Sequence, residues 1–237
     1  MINKNVLGIV FSSAYDDNIR EMTNIRTMGS IPFAGRYRLI DFVLSNMVNC
    51  GISKVGVITK SNYQSLMDHL SSGKAWDLSR KNGGMTILPP FNLGSGGVYS
   101  SRIEALSNIM DYIVQSGKDY IVLSDCNAVC NIDYDSILKF HEEKGADITV
   151  ACKKGIVPVT ENRMVFTRDG DGRVNEVTVS PEAEKEEYFS LNIIVMSRIL
   201  LERLINDAKS QNSKSFEQDI IQKNTAALKI YAYEVTE

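Results

Sequence analysis

Apolar residues in this chain fall into short continuous runs separated by amphipathic stretches, and the two kinds alternate. Val6–Phe11 (VLGIVF) is a continuous apolar run of the kind that a strand buried on both faces requires. Arg38–Asn49 (RLIDFVLSNMVN) carries apolar residues at helical spacing and stops before Gly51, a residue that ends a helix in the left-handed conformation without steric cost. Lys54–Thr59 (KVGVIT) predicts a second buried strand, and Asn62–Ser72 a helix stopped by Gly73. Met85–Leu88 predicts a short strand ended by Pro89-Pro90. Ser101–Gln115 predicts one amphipathic helix, with Ile103, Leu106, Ile109, Met110 and Ile113 on a single stripe. A strand over Tyr120–Ser124, a helix over Tyr134–Lys144 and a strand over Ile148–Cys152 complete this half.

Strands that recur with helices between them need crossover connections. The pattern therefore predicts an α/β fold with a mostly parallel sheet covered on both faces. From about Pro158 the pattern changes. Arg163–Thr167, the turn Asp169-Gly170-Asp171-Gly172 and Val174–Ser180 predict a hairpin, and Tyr188–Met196 a further strand. Helices follow near Arg198–Asn206 and Phe216–Lys223, then a last strand over Leu228–Tyr233. With no repeat, low-complexity tract or Pro/Gly-rich linker, residues 1–237 read as a single domain. The last strand runs almost to the C-terminus, which suggests either that the chain is cut there or that a further domain normally follows.

Composition narrows the function classes. Hydrophobic residues make up 43% and charged residues 23%, the balance of an ordinary globular protein. The net charge of -3 and the scattered basic residues leave no footprint for nucleic acid or an anionic membrane. No segment has the form of a secretion signal or the length of a membrane span. The four cysteines, Cys50, Cys126, Cys130 and Cys152, are spread out and include no second pair at zinc spacing. They suit reduced thiols and a cytoplasmic protein.

Ile31–Thr59 (IPFAGRYRLIDFVLSNMVNCGISKVGVIT) resembles the ADP-glucose pyrophosphorylase (glucose-1-phosphate adenylyltransferase) family. The family's run Pro-Phe-Gly-Gly-Lys-Tyr-Arg-Ile-Ile-Asp-Phe-x-Leu-Ser-Asn aligns there without a gap. Asn131–Asp147, Ala151 and Phe216–Ile221 also resemble the family, so the likeness covers essentially the whole chain. The resemblance implies a doubly wound, mostly parallel α/β sheet in a three-layer, Rossmann-like fold of nucleotide-diphospho-sugar transferase type, followed in full-length members by a left-handed β-helix domain that this sequence does not contain. It implies the reaction of ATP with glucose 1-phosphate to give ADP-glucose and pyrophosphate, in bacterial glycogen synthesis.

An in-line displacement at the α-phosphate needs cations on the triphosphate, backbone in close approach, and Mg²⁺ held by carboxylates. Family members supply a Gly-rich loop with an Arg, a following Lys and two metal-binding Asp residues. Aligned without a gap, that loop falls on Phe11–Arg26 (FSSAYDDNIREMTNIR). Its glycines fall on Ser13, Ala14 and Asp16, next to Ser12, and its Arg falls on Asn18. Side chains stand where bare backbone meets phosphate, and Asp16-Asp17 add negative charge. The family's Lys falls on Met28. Its metal-binding Asp positions fall on Asn127 (or Cys126, counted from the strand) and on Ser215. Asp125 and Asp219 are the nearby carboxylates that could hold a metal after a shift, although a turn role for Asp125 and a surface role for Asp219 are the plainer readings. The nucleotide-contact loop Gly-Thr-Ala-x-Ala falls on Ser101–Ala105, where Arg102 replaces Thr and only Ala105 is retained. The Glu-Lys pair that holds the sugar phosphate falls on Val179-Ser180.

This pattern resembles the GlgD-type regulatory subunit, which keeps the fold, lacks the catalytic residues and associates with a catalytic subunit. The pocket would then be a degenerate nucleotide or sugar-phosphate site with no resident metal. A second reading is an active adenylyltransferase with a rearranged site built from Asp125, Asp219, Arg20 and Arg102. A third is a nucleotide or sugar-phosphate binding module with no assembly role. Several other residues have simpler readings. Gly94-Ser95-Gly96-Gly97 reads as a surface loop, lacking a P-loop's Gly-Lys-Ser/Thr ending. Arg36 and Arg38 either face an anion or pair with Asp41 at the helix entry. His141, among Glu142, Glu143 and Lys144, reads as solvated, His69 as isolated, and Trp76, near Tyr63, as packing.

Overall fold

The computed structural model describes residues 5–13, 16–81, 83–90, 99–158, 162–180 and 185–236. Ala14 and the Gly94-Ser95-Gly96-Gly97 segment lie outside the described residues. In chain order the first elements are β1 (Val6–Phe11), α1 (Arg20–Thr23), β2 (Pro32–Phe33), β3 (Tyr37–Arg38), α2 (Leu39–Asn49), β4 (Lys54–Ile58), α3 (Gln64–Leu70) and β5 (Gly84–Leu88). Then come α4 (Arg102–Asn108), α5 (Met110–Gln115), β6 (Tyr120–Asp125), α6 (Tyr134–Glu143), β7 (Ile148–Ile156), β8 (Met164–Arg168) and β9 (Val174–Val179). The chain ends with β10 (Glu186–Ser197), α7 (Arg198–Ser210), a π-helix (Phe216–Ile221) and β11 (Ile230–Glu234). Contacts gather the chain into two compact units, Met1–Tyr99 with Asp111–Asp135, and Ser100–Met110 with Ser136–Glu237.

The first unit holds four parallel strands in the order β6-β1-β4-β5. Every residue of β1 is buried, which is why Val6–Phe11 is apolar throughout rather than alternating. Gly56 in β4 is a packing requirement. A Cβ there would come within 2.8 to 3.0 Å of Leu88, Tyr112 and Ile9. Helix α2 buries Ile40, Val43, Leu44 and Met47, the stripe its periodicity predicted. Parallel registry brings the carboxyl ends of β1, β4 and β6 to the same edge, with Phe11 opposite both Ile58 and Asp125. That edge is where open α/β sheets bind ligands.

In the second unit β7 lies between β10, antiparallel, and β11, parallel. The hairpin β8–β9 extends the sheet from β10. Here the sheet is mixed, in line with the change of pattern after Pro158. Strand β10 carries a bulge between Ser190 and Ile193, where Asn192 adopts a left-handed φ of 55°.

Three expectations need correction. The single helix over Ser101–Gln115 is two helices that part at Ile109, whose φ of -102° and ψ of 8° leave the helical region. The apolar stripe continues on both sides of the break, so periodicity alone hides it. His69 is not isolated: its Nε2 lies 2.6 Å from Asp41 Oδ1, and its ring meets Trp76 edge-on at 5.9 Å. Asp41 Oδ2 also accepts the Arg38 N–H, capping α2, while the Arg38 guanidinium turns away to Ser65. The ring partner of Trp76 is thus His69.

His141 is the third. It is 3% exposed, not solvated, and its Nδ1 lies 2.8 Å from Thr149 Oγ1. Tyr134, Ile137, Leu138 and His141 share one buried face of α6. Burial pushes the imidazole pKa down to about 4, against the pull of Asp147. The unfolded chain therefore binds a proton that the native state refuses between about pH 6.5 and about pH 4. Stability is full above that window and falls as pH drops through it, by roughly 3 kcal/mol for this group. Urea unfolding at stepped pH is expected to show this loss, and His141→Gln to reduce the slope between those limits.

Candidate functional site

The loop after β1 is stitched to itself. Ser12 is fully buried and its hydroxyl donates to the Ile58 carbonyl at 2.8 Å. The Ser12 carbonyl accepts the Gly29 N–H at 2.8 Å, the Thr27 hydroxyl and, at 3.5 Å, the Cys126 thiol. Ser13 beside it is 4% exposed. Asp16, at a glycine position of the family loop, turns inward, and its Oδ1 accepts the Met28 N–H at 2.7 Å. Burial pushes the Asp16 carboxyl up, while the Met28 amide pulls it back. Met28, at the family's Lys position, thus gives its backbone to an internal carboxylate while its side chain is buried. Asn18 is exposed on the short turn Asp16–Ile19. Asp17 forms a surface ion pair with Arg20 at 3.0 Å, so Arg20 already faces a carboxylate of its own loop.

At the end of β6, Asp125 and Cys126 are each 1% exposed, whereas Asn127 is exposed. Burial and the neighbouring Asp125 hold the Cys126 thiol well above the usual cysteine range, which makes it an inert packing group.

In the second unit the contact-loop positions have become a helix start. The Ser101 hydroxyl caps α4 by accepting the Glu104 N–H at 3.2 Å, and Glu104 reaches back to the Ser100 N–H at 2.8 Å. Those Ser100 bonds hold the Glu104 carboxyl below the usual range. Ala105 is a core residue, 3% exposed. Arg102 Nε lies 3.3 Å from Glu217 Oε1, with side chains only 11% and 8% exposed.

Ser215 is the N-cap of the π-helix, its hydroxyl accepting the Gln218 N–H at 3.1 Å. Asp219 Oδ2 accepts the Ser215 and Lys214 N–H groups, each at 3.0 Å, and Oδ1 meets Lys223 Nζ at 2.6 Å. Lys223 and the Ser215 amide hold its carboxyl below the usual carboxylate range. Asp219 thus closes the start of the π-helix. Val179 ends β9 opposite Met164. Ser180, with φ 54°, closes that hairpin by donating its N–H to the Arg163 carbonyl at 2.7 Å, and its hydroxyl accepts the Asn162 N–H at 3.1 Å.

Among the described residues no group of three or more His, Cys, Asp or Glu side chains is placed to hold a metal ion. Asn127 and Ser215 are neutral, and both oxygens of Asp219 are engaged. Glu217 was missed by sequence reasoning, because it lies in a helical run whose neighbours give no sign that Arg102 will meet it.

Comparison with known proteins agrees with the reading of Ile31–Thr59. The nucleotidyl transferase family model matches residues 9–236. The chain is similar to glycogen biosynthesis protein GlgD of Bacillus subtilis (strain 168), 36% identical over 234 residues, covering 99% of this chain and 58% of that protein. Glucose-1-phosphate adenylyltransferase of Thermosipho africanus (strain TCF52B) is 34% identical over 235 residues, covering 97% of this chain and 57% of that protein. GlgD of Geobacillus stearothermophilus is 41% identical over 157 residues, covering 65% of this chain and 45% of that protein. The chain therefore spans less than two thirds of the length of these relatives. Among the described residues no helix is long and apolar enough to cross a membrane. A family model that runs from β1 into β11, over strands of the expected mostly parallel α/β fold, shows that this chain belongs to the nucleotidyl transferase family.

Proposed function

We propose that the chain is the nucleotidyltransferase-fold part of a cytoplasmic, regulatory and catalytically impaired subunit of glucose-1-phosphate adenylyltransferase, acting in glycogen biosynthesis beside a catalytic subunit. The relatives named for glycogen biosynthesis and for the adenylyltransferase reaction support the pathway. The observation that carries the impairment is the loop after β1. Its Asp16 carboxylate takes the Met28 amide, and its Ser12 carbonyl takes three donors. The Met28 and Gly29 N–H groups are thus engaged within the loop, Asp16 adds negative charge to it, and Asn18 and Met28 bring no cation.

Electrostatics give the scale. One preorganised charge contributes about 3 kcal/mol to a transition state of this kind, so losing several suppresses turnover by many powers of ten even where their effects overlap. A rearranged active site is disfavoured because its components are committed elsewhere: Arg20 to Asp17, Arg102 to Glu217, and Asp219 to two amides and Lys223. Mg²⁺ belongs to the partner's reaction in this reading. What remains to this chain is a degenerate pocket for a nucleotide or sugar phosphate and a fold that associates with its partner.

Co-expression of the whole protein with a catalytic glucose-1-phosphate adenylyltransferase tests the regulatory role. The two are expected to co-purify, and the partner's affinity for substrate or effector to shift about fivefold or more. A catalytic subunit that elutes alone, with unchanged kinetics, sinks the proposal.

A further inference from the structure

Met22–Ile40 differs from the rest of the chain in both charge and exposed surface. It holds Arg26, Arg36 and Arg38 and no acidic residue, a charge of +3, so the remaining residues carry -6 against the chain's net -3. None of the three arginines forms an ion pair among the described residues. The same stretch supplies Met22, Ile25, Phe33 and Tyr37, four of the nine large apolar side chains that stand exposed among the described residues. Phe33 and Tyr37, 42% and 48% exposed, share the β2–β3 hairpin with Arg36 and rest on Phe42 at ring distances of 5.4 and 5.9 Å. Two hydrogen bonds gather the stretch around the start of α3. Asn62 Nδ2 donates to the Asn24 carbonyl at 3.0 Å, and Arg38 donates to Ser65 Oγ at 2.9 Å. Met67 of α3 is exposed as well, and its neighbour Asp68 is taken by Gln64 at 2.8 Å. Aromatic, Met and Arg side chains grouped without counter-charge have the composition of a protein interface.

Arginines without carboxylates select an acidic occupant, and this chain carries such a surface in its second unit. At the end of β7, Ile156 is 74% exposed and stands opposite Glu186 of β10, with Glu187 next to it in the chain. Directly opposite residues project to one face of a sheet, so Ile156 is an apolar anchor beside a carboxylate. Neither Glu186 nor Glu187 forms an ion pair among the described residues, and Lys154 on the same face as Glu186 lies over the Tyr188 ring at 6.0 Å. We propose that the basic, aromatic surface of Met22–Ile40 in one copy of this chain docks on the Ile156, Glu186 and Glu187 surface of a second copy. The contact joins unlike surfaces and is therefore heterologous. It goes beyond the regulatory reading and does not depend on it.

Sedimentation velocity of the whole protein across a concentration series tests this. The unsubstituted protein is expected to self-associate, and more weakly as salt is raised, because exposed charges are screened. Arg36→Glu and Glu186→Arg each set like charges against one another, and each is expected to weaken self-association roughly tenfold or more. Mixed in equal amounts, the two variants again present opposite charges, and the mixture is expected to associate nearly as well as the unsubstituted protein. Phe33→Ser, which removes an apolar anchor and no charge, is expected to weaken it several-fold and gives a second readout. Circular dichroism establishes that each variant is folded. A protein that stays a single copy at every concentration overturns the proposal. So does self-association that ignores both charge reversals or is not restored in the mixture. If Arg36→Glu abolishes co-purification with a catalytic glucose-1-phosphate adenylyltransferase while self-association persists, the surface faces that subunit and the second copy is excluded.

Discussion

Phe216→Ala is expected to destabilise the protein by about 3–5 kcal/mol. Phe216 is fully buried and is the first residue of the π-helix, flanked by Ser215 and Glu217. Its ring anchors the start of a segment also held by the buried Ile220 and Ile221 and by polar ties: the Ser215 cap, the Asp219 carboxylate on two amides, and the Arg102–Glu217 pair. Truncation leaves a cavity as well as a lost transfer term, so the loss is large for a single substitution. Urea unfolding followed by circular dichroism measures it. Phe216→Leu, which fills most of the volume, is expected to recover more than half of the loss. A loss below about 1 kcal/mol for Phe216→Ala would mean that the segment is not anchored through this ring.

The second large effect is expected at Asp41. This carboxylate, 8% exposed, serves the Arg38 N–H at the start of α2 and His69 Nε2 on α3 at 2.6 Å. Asp41→Ala removes a helix cap, which contributes about 1 kcal/mol, and leaves a half-buried imidazole without its acceptor, which costs about 1–3 kcal/mol more. The expected loss is therefore roughly 2–4 kcal/mol by chemical denaturation. Asp41→Asn retains an acceptor of the same shape and is expected to lose less than half as much. In the background His69→Ala, Asp41→Ala should cost only about the cap term, because the pair's coupling is then already gone. Additive losses would show that His69 and Asp41 are neighbours without being partners.

The parallel strands were legible because burial on both faces leaves a continuous apolar run, and β1 and β4 have one each. Less legible was anything that depends on a partner distant in sequence. The break at Ile109 is invisible to periodicity because the apolar stripe resumes in α5. His141 looked solvated beside Glu142, Glu143 and Lys144, yet Tyr134, Ile137, Leu138 and His141 follow the i, i+3, i+4, i+7 spacing of a buried stripe. Spacing was the better guide than local polarity.

The candidate site was half legible. Alignment of motifs located Asn18, Met28, Asn127 and Ser215 as neutral substitutes, but it treated Asp16 and Arg102 as charges facing a ligand. In the folded chain Asp16 faces the Met28 amide and Arg102 faces Glu217. Those pairings join residues that no local pattern links.

Pyrophosphate exchange by the purified whole protein, with ATP, Mg²⁺ and ADP-glucose and no second subunit, tests the central claim most directly. Adenylyltransferases of ordinary competence turn over at roughly 1–1000 per second, and loss of several preorganised charges predicts a rate at least about 10,000-fold lower, at the background of the assay. A rate within tenfold of a catalytic adenylyltransferase, unaffected by further purification, would contradict it.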